Sequence, residues 1–229
     1  MTRGNVLGGN GVEPSGSKRE ESDSHMIETF DAILDGLMLG DGCIAKPSRN
    51  ALYQHSCKYK SYLLYLKEIM EVFGLSFSDN SPYTYTHKKN NAVYSLLISR
   101  RSSFLTLEHQ RWYKEGKKEV PVDLAISPEV VRHWYCGDGS LGTSTRKVDH
   151  IILHTNGFSD KSRYILQVKL QDKGWHSSIM SEGRLYIGPK YFLDFLAYTG
   201  ESPVPCYQYK WMTKSIKEYK ELKKICEGL

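Results

Sequence analysis

The stretch LDGLMLGDG, Leu34 to Gly42, decides how this chain is read, because it returns in altered form as VRHWYCGDG, Val131 to Gly139. Around the first copy, Ile33, Leu34, Leu37 and Met38 recur at helical spacing, and the pattern stops at Gly40-Asp41-Gly42. Before the second, Ser127-Pro128-Glu129 supplies a capping hydroxyl, a proline at the first helical position and an acid favoured by the helix dipole. Val130, Val131, Trp134 and Tyr135 follow, and that helix is expected to end at Gly137-Asp138-Gly139. Asp-Gly alone is a common turn pair. An aspartate at a helix C-terminus, however, faces the negative end of the macrodipole, at a cost of roughly 0.3–1 kcal/mol. Two of them in equivalent positions near a symmetry axis bring like charges together, an arrangement stable mainly with a cation between them. Gly36 and Gly40, four apart on one helix face, allow a partner helix to approach closely.

Working outward, both copies are followed by the same order of signals. In the first half an alternating segment, Ala51 to Cys57, precedes an amphipathic helix from Tyr59 to Phe73 that Gly74 stops. A hairpin then spans Tyr83 to Ser99, with its turn at Lys88-Lys89-Asn90-Asn91. In the second half come a strand from Asp149 to Thr155, a helix from Ser159 to Lys173 stopped by Gly174, and a hairpin around Glu182-Gly183. Asp41 and Asp138 are 97 positions apart, and Gly74 and Gly174 are 100 apart. That period is too long for a solenoid and predicts two similar halves, residues 26–122 and 123–229, packed about a pseudo-twofold axis.

Composition bounds the rest. The chain has 229 residues, 40% hydrophobic and 12% aromatic, and a net charge of +5, enough apolar matter for a sizeable core. Residues 1–25 hold almost nothing that can be buried and read as a disordered tail or cloning remnant, neither signal nor transit peptide. No apolar run reaches the roughly 18 residues that cross a bilayer, so no membrane partner is expected. The five scattered cysteines lack disulfide or zinc spacing, which points to a reducing compartment. Gly137 to Gly142 satisfies G-x-G-x-x-G, yet a helix precedes it where a strand is required, so nucleotide binding is rejected.

At this point a resemblance becomes specific. The two nonapeptides resemble the motif that names the LAGLIDADG homing endonucleases. Tyr53-Gln54, Lys117-Lys118-Glu-Val-Pro121, Trp134 to Gly139, His154 to Ser159 and Tyr207-Gln-Tyr-Lys210-Trp resemble its single-chain, two-motif branch. The likeness runs from Phe30 to Trp211. It implies an α+β fold of two αββαββα halves, with motif helices at the central interface and antiparallel sheets forming a DNA-binding saddle. It further implies a monomer that makes metal-dependent double-strand breaks in DNA at a long recognition site. Asp41 and Asp138 match the catalytic metal-binding aspartates, and the carbonyls of Gly40 and Gly137 match further ligands. Such hard oxygen donors suit Mg²⁺, with Mn²⁺ as a substitute. Lys118 and Lys210 match basic residues near each site, expected to steady the phosphate or order solvent. Gln54 resembles a polar residue that positions solvent, and His154 or Asn156 is its counterpart in the second half. Departures from the motif are Asp35, Leu39, Cys136 and His133, the last expected as a packed, hydrogen-bonded interface histidine rather than a ligand.

For DNA contact, the strands are expected to carry Tyr83, Tyr85, His87, Lys88 and Lys89 in the first half, and Ser181, Glu182, Arg184 and Tyr186 in the second. Loops after the motifs add Lys46, Arg49, Thr143, Thr145, Arg146 and Lys147. A two-stranded ribbon fits the major groove, and loop lysines more often touch phosphate. The Lys-rich end, Lys210 to Lys224, interleaves acids and reads as a solvated helix face. The rival readings are a maturase that binds intron RNA and a DNA-binding protein that does not cut. The intact aspartate pair favours cleavage. The compartment would be one that holds the target genome, an organelle or a prokaryotic cytoplasm.

Overall fold

In the computed structural model of the protein, residues 29–88, 91–143, 149–212 and 217 are described. The tail, Lys89, Asn90, Thr145, Arg146, Lys147, Cys226 and nearly all of the Lys-rich end lie outside them.

The first half runs α1 (residues 29–39), β1 (Gly42–Ala45), β2 (Leu52–Cys57), α2 (Lys60–Val72), β3 (Tyr83–Thr86), β4 (Val93–Ile98) and α3 (Ser103–Trp112). A small hairpin, β5 (Tyr113–Lys114) and β6 (Lys117–Lys118), follows it. The second half runs α4 (Pro128–Asp138), β7 (Gly139–Thr143), β8 (Asp149–Leu153), α5 (Asp160–Asp172), β9 (Ser177–Ile179), β10 (Leu185–Ile187) and α6 (Phe192–Thr199). A 3₁₀ helix, Pro205–Trp211, comes after α6. The αββαββα order is thus present twice. Each half holds a four-stranded antiparallel sheet, β1-β2-β4-β3 and β7-β8-β10-β9. No helix among the described residues is long and apolar enough to cross a membrane.

Alternation sorts each sheet into two faces. Tyr53, His55 and Cys57 of β2 and Ser95 and Leu97 of β4 are buried, and α2 packs there through Tyr62, Leu63, Leu66 and Met70. The residues between them are half-buried and line the opposite face. β8 is two residues shorter than its pattern predicts. Beyond Leu153 the chain leaves the ladder, and the Thr155 hydroxyl donates to the Gly183 carbonyl at 2.7 Å.

The caps follow local chemistry. Ser127 Oγ accepts from the Val130 N–H at 3.3 Å, and Ser159 Oγ does the same for Ser162 at 3.2 Å. Helices α2 and α5 close identically: Gly74 and Gly174 adopt φ of +84° and +88°. The next residues, Leu75 and Trp175, return N–H bonds to Met70 and Leu170. Ser127→Ala should cost about 1 kcal/mol in denaturant unfolding, because it orphans one N–H of α4 without disturbing the core.

The motif helices α1 and α4 touch through their glycines. A Cβ built on Gly36 would lie 2.5 Å from the Val130 carbonyl oxygen and 2.9 Å from the His133 Cβ. One on Gly40 would lie 3.3 Å from the Gly137 Cα, and one on Gly137 would lie 3.1 Å from Gly40 Cα and Asp41 N. The bulky His133 in the second copy therefore does not hold the helices apart, because Gly36 gives it room.

Candidate active site and nucleic-acid interface

Because α1 and α4 cross at Gly40 and Gly137, the next residue of each helix, Asp41 and Asp138, is delivered to a common centre. The cost of placing carboxylates at helix C-termini is offset by two lysines from elsewhere in the chain. Lys118 on β6 donates from Nζ to the carbonyls of Gly40 at 3.3 Å and Gly42 at 2.9 Å. Lys210, on the 3₁₀ helix, donates to Tyr135 at 3.1 Å, Cys136 at 2.6 Å and Gly137 at 3.2 Å. Ammonium groups at the negative helix ends also satisfy carbonyls left without intrahelical partners. Lys210 is 7% exposed, which corrects its grouping with a solvated helix face. The Tyr135 hydroxyl donates to the backbone carbonyl of Lys210 at 2.7 Å and fixes the 3₁₀ helix against α4.

These charges shift one another. Desolvation raises the Asp138 carboxyl to about 7, the nearby Asp41 charge raises it too, and Lys118 and Lys210 pull it down. Asp41 is also raised, by desolvation, although its side chain reaches solvent; Lys210 and Lys118 oppose the shift. Both lysines are lowered by burial, with the two aspartates among the groups opposing it. The two carboxyls behave as a coupled pair that a cation would relieve. Among the described residues no cluster of three or more His, Cys, Asp or Glu side chains is placed to hold a metal. Two carboxylates supplemented by carbonyl, solvent or phosphate oxygens are the donor set that Mg²⁺ accepts, so the residues present fit that ion. The Gly40 and Gly137 carbonyls expected as further ligands each accept a lysine Nζ here.

The solvent-positioning candidates fall on either side of this centre. Gln54 stands directly across the ladder from Cys43, whose thiol contacts its Oε1 at 3.8 Å. In the second half, His154 lies 3.3 Å through Nε2 from Ser140 Oγ and lines a cavity of about 250 Å³. Gly137, Asp138, Tyr209 and Lys210 line the same cavity. Asn156 is exposed in a turn and does not line it, so geometry favours His154 as the counterpart of Gln54. Burial, then Arg184 and Lys210, lower the His154 pKa and keep its imidazole neutral at pH 7.

Two other histidines are buried nearby. His133 stacks on Tyr65 at 6.3 Å as a packed interface residue, but among the described residues its Nδ1 has no hydrogen-bond partner, against the expectation of a hydrogen-bonded histidine. Burial lowers it to about 3, so it stays neutral. His55 is held likewise at about 3 by burial, Lys118 and His133, and its Nδ1 pairs with Tyr53 Oη at 2.8 Å.

The residues proposed for DNA contact divide by position. Tyr83 and Tyr85 lie on β3 and Tyr186 on β10, on the sheet faces turned away from the packed helices. His87 and Lys88 stand in the turn after β3 rather than on the strand, since the His87 N–H already closes on the Ala92 carbonyl. Lys46 and Arg49 are exposed in the loop after β1. Arg184 precedes β10 and pairs with Glu182 at 3.2 Å, and Thr143 bonds Asp149 at 2.7 Å. Sequence reading did not single out Arg111. Its guanidinium forks onto Asp35 at 2.5 and 2.9 Å, and the indole N–H of Trp112 reaches the same carboxylate at 3.1 Å. The only available signal was the anomalous Asp35 inside the motif.

The pattern Gly137 to Gly142 runs from a helix into a strand, the reverse of a dinucleotide site. A family model described as the LAGLIDADG DNA endonuclease family matches residues 31–196. The uncharacterized protein MJ1098 of Methanocaldococcus jannaschii is 35% identical over 150 residues, 64% of this chain; the match spans 57% of that relative's length. Among solved structures, the homing endonuclease I-WcaI bound to its DNA recognition sequence is similar, with a TM-score of 0.66 and 21% identity. That match covers 89% of this chain and 96% of that one. The N-terminal LAGLIDADG domain of DUF199/WhiA matches with a TM-score of 0.50 and 18% identity, over 77% of this chain and 84% of that one.

Proposed function

We propose, from the premise that the chain belongs to the LAGLIDADG DNA endonuclease family, that it is a monomeric homing endonuclease making double-strand breaks at a long DNA site. The observation that carries this reading is the meeting of Asp41 and Asp138 at the ends of crossed helices, each end gripped by a lysine from its own half. The fold neighbour bound to its DNA recognition sequence supports it. A maturase or a binding protein that does not cut needs the fold but not the two carboxylates.

Asp41 and Asp138 would hold divalent cations, Mg²⁺ first. Bound there, such an ion supplies Lewis-acid stabilisation of charge developing on the phosphoryl oxygens. The chain does the rest. Lys118 and Lys210, anchored on helix-end carbonyls, place positive charge beside the scissile phosphates. His154, neutral and hydrogen-bonded to Ser140, orients solvent and can accept its proton in the second half, and Gln54 orients solvent in the first. One acidic centre per strand accounts for a double-strand break.

Incubating the protein and Mg²⁺ with a randomised duplex library, then sequencing the cut ends, tests the reading. Recovery of one long common site is expected, and the absence of cut ends overturns it. Affinity for that site should fall with salt at a log-log slope of about −0.9 per phosphate neutralised. A flat response would exclude a phosphate-gripping surface.

A further inference from the structure

The outward face of the second sheet carries Ser140 on β7, His150 and Ile152 on β8, Tyr186 on β10 and Ser178 on β9. Toward the catalytic centre the pairing continues one residue beyond these strands. The His154 N–H donates to the Asp138 carbonyl at 2.8 Å, and the Met180 N–H donates to the Arg184 carbonyl at 2.8 Å. Because Leu185 stands opposite Leu153, the next pair along is Arg184 opposite His154. One row across the sheet therefore runs Asp138, His154, Arg184, on the face that Tyr186 shares. Arg184 is near enough to His154 to help lower its pKa. In the matching row of the first half, register places Ser56 after Asp41 and then Leu96, whose side chain has no polar atom.

The Arg184 side chain is 28% exposed and meets the exposed Glu182 through Nη2 at 3.2 Å. A cation balanced by a carboxylate adds little to a phosphate contact, because the carboxylate repels the same phosphate. A base edge is neutral and meets no such penalty. In the major groove guanine offers O6 and N7 to a guanidinium, and its cytosine partner offers an N4 amino group that a carboxylate accepts. A guanidinium has five N–H donors, more than one carboxylate at Nη2 can use. Resting on the endonuclease reading, we infer that Arg184, oriented by Glu182, specifies a G·C pair beneath the second sheet, a contact without an equivalent at the Leu96 position of the first. The row spans two strand spacings of about 4.8 Å each, so this guanine lies within about three base-pair steps of the phosphate cut at Asp138.

The test selects duplexes by binding from a randomised library without added divalent metal, then maps the cuts in Mg²⁺. The parent protein should enrich guanine at one position within about three base pairs of one cut. The Arg184→Gln protein should lose that preference about tenfold while keeping the other base preferences and the salt slope. A duplex carrying 7-deazaguanine at that position lacks the N7 acceptor and should bind the parent about fivefold more weakly, a readout that does not depend on the variant folding. Three results would overturn the inference while leaving duplex cleavage standing: unchanged base preferences in Arg184→Gln, indifference of the parent to 7-deazaguanine, or uniformly weaker binding by the variant with a salt slope reduced by about 0.9, the mark of a phosphate contact. Failure of the parent to bind any duplex would overturn it together with the endonuclease reading.

Discussion

Asp41→Asn and Asp138→Asn proteins should lose double-strand cleavage by about a thousandfold or more while binding the same duplex. Each change exchanges an anionic oxygen ligand for a neutral amide and leaves the helix crossing intact, since Asn matches the shape of Asp. Gel separation of supercoiled, nicked and linear plasmid reads the outcome, and linear product at the parental rate from either protein would remove these residues from catalysis. A second readout needs no DNA. In metal-free protein the Asp138 carboxyl titrates near 7, above its unfolded value of 3.8. An acid raised in the folded state favours folding while protonated, so stability is greatest below about pH 4 and declines as the pH rises toward 7. Asp138→Asn removes that decline and should be more stable than the parent at pH 8 by about 1–2 kcal/mol, allowing for solvent screening at a partly exposed group. Added Mg²⁺ should narrow the difference by stabilising only the parent. Melting curves from pH 4 to 8 in chelator check this, and parallel curves for the two proteins would mean that the Asp138 carboxyl is not raised in the folded protein.

Gly36→Val should be the most damaging substitution on the motif helices. Its Cβ would fall 2.5 Å from a backbone oxygen of α4, and no rotamer relieves a clash with main chain. The helices must separate, which opens the packing around Val130 and His133 and shifts Asp41 relative to Asp138. A loss of about 3 kcal/mol or more is expected, a large share of the stability of a domain this size. Cleavage should fall with it. Gly74→Ala is the contrasting case: nothing lies within 4 Å of its added Cβ, but φ of +84° strains a side chain, at about 1–2 kcal/mol. It should leave cleavage unchanged at a temperature where the protein is folded. Equal effects of the two substitutions would refute tight helix crossing at Gly36.

What the amino-acid order determined was local or repeated. The caps at Ser127 and Ser159, the helix ends at Gly74 and Gly174, and the duplicated Gly-Asp-Gly are chemistry within a few residues, where propensity and hydrogen bonding act without distant partners. The close approach of α1 to α4 was legible for the same reason, since glycines four apart define a face. Helix α3 escaped the pattern because it buries only Leu105 and Trp112, too few to show a period. The β5–β6 hairpin, two residues a side, has no signal of its own, yet it sets Lys118 on the end of α1.

Tertiary structure alone decided which charges meet. Lys210, set near the second aspartate by the resemblance and grouped with a solvated helix face by its lysine-rich surroundings, became the buried partner of three carbonyls of α4; Asp35 looked like a motif defect and became the anchor of Arg111. It also decided which strand residues share a face, because that property belongs to strand register and not to any one segment. Backbone preferences are set by neighbours in the chain, so a sequence displays them directly. Electrostatic partners and sheet faces are set by neighbours in space, and these exist only after two halves nearly a hundred residues apart have packed together.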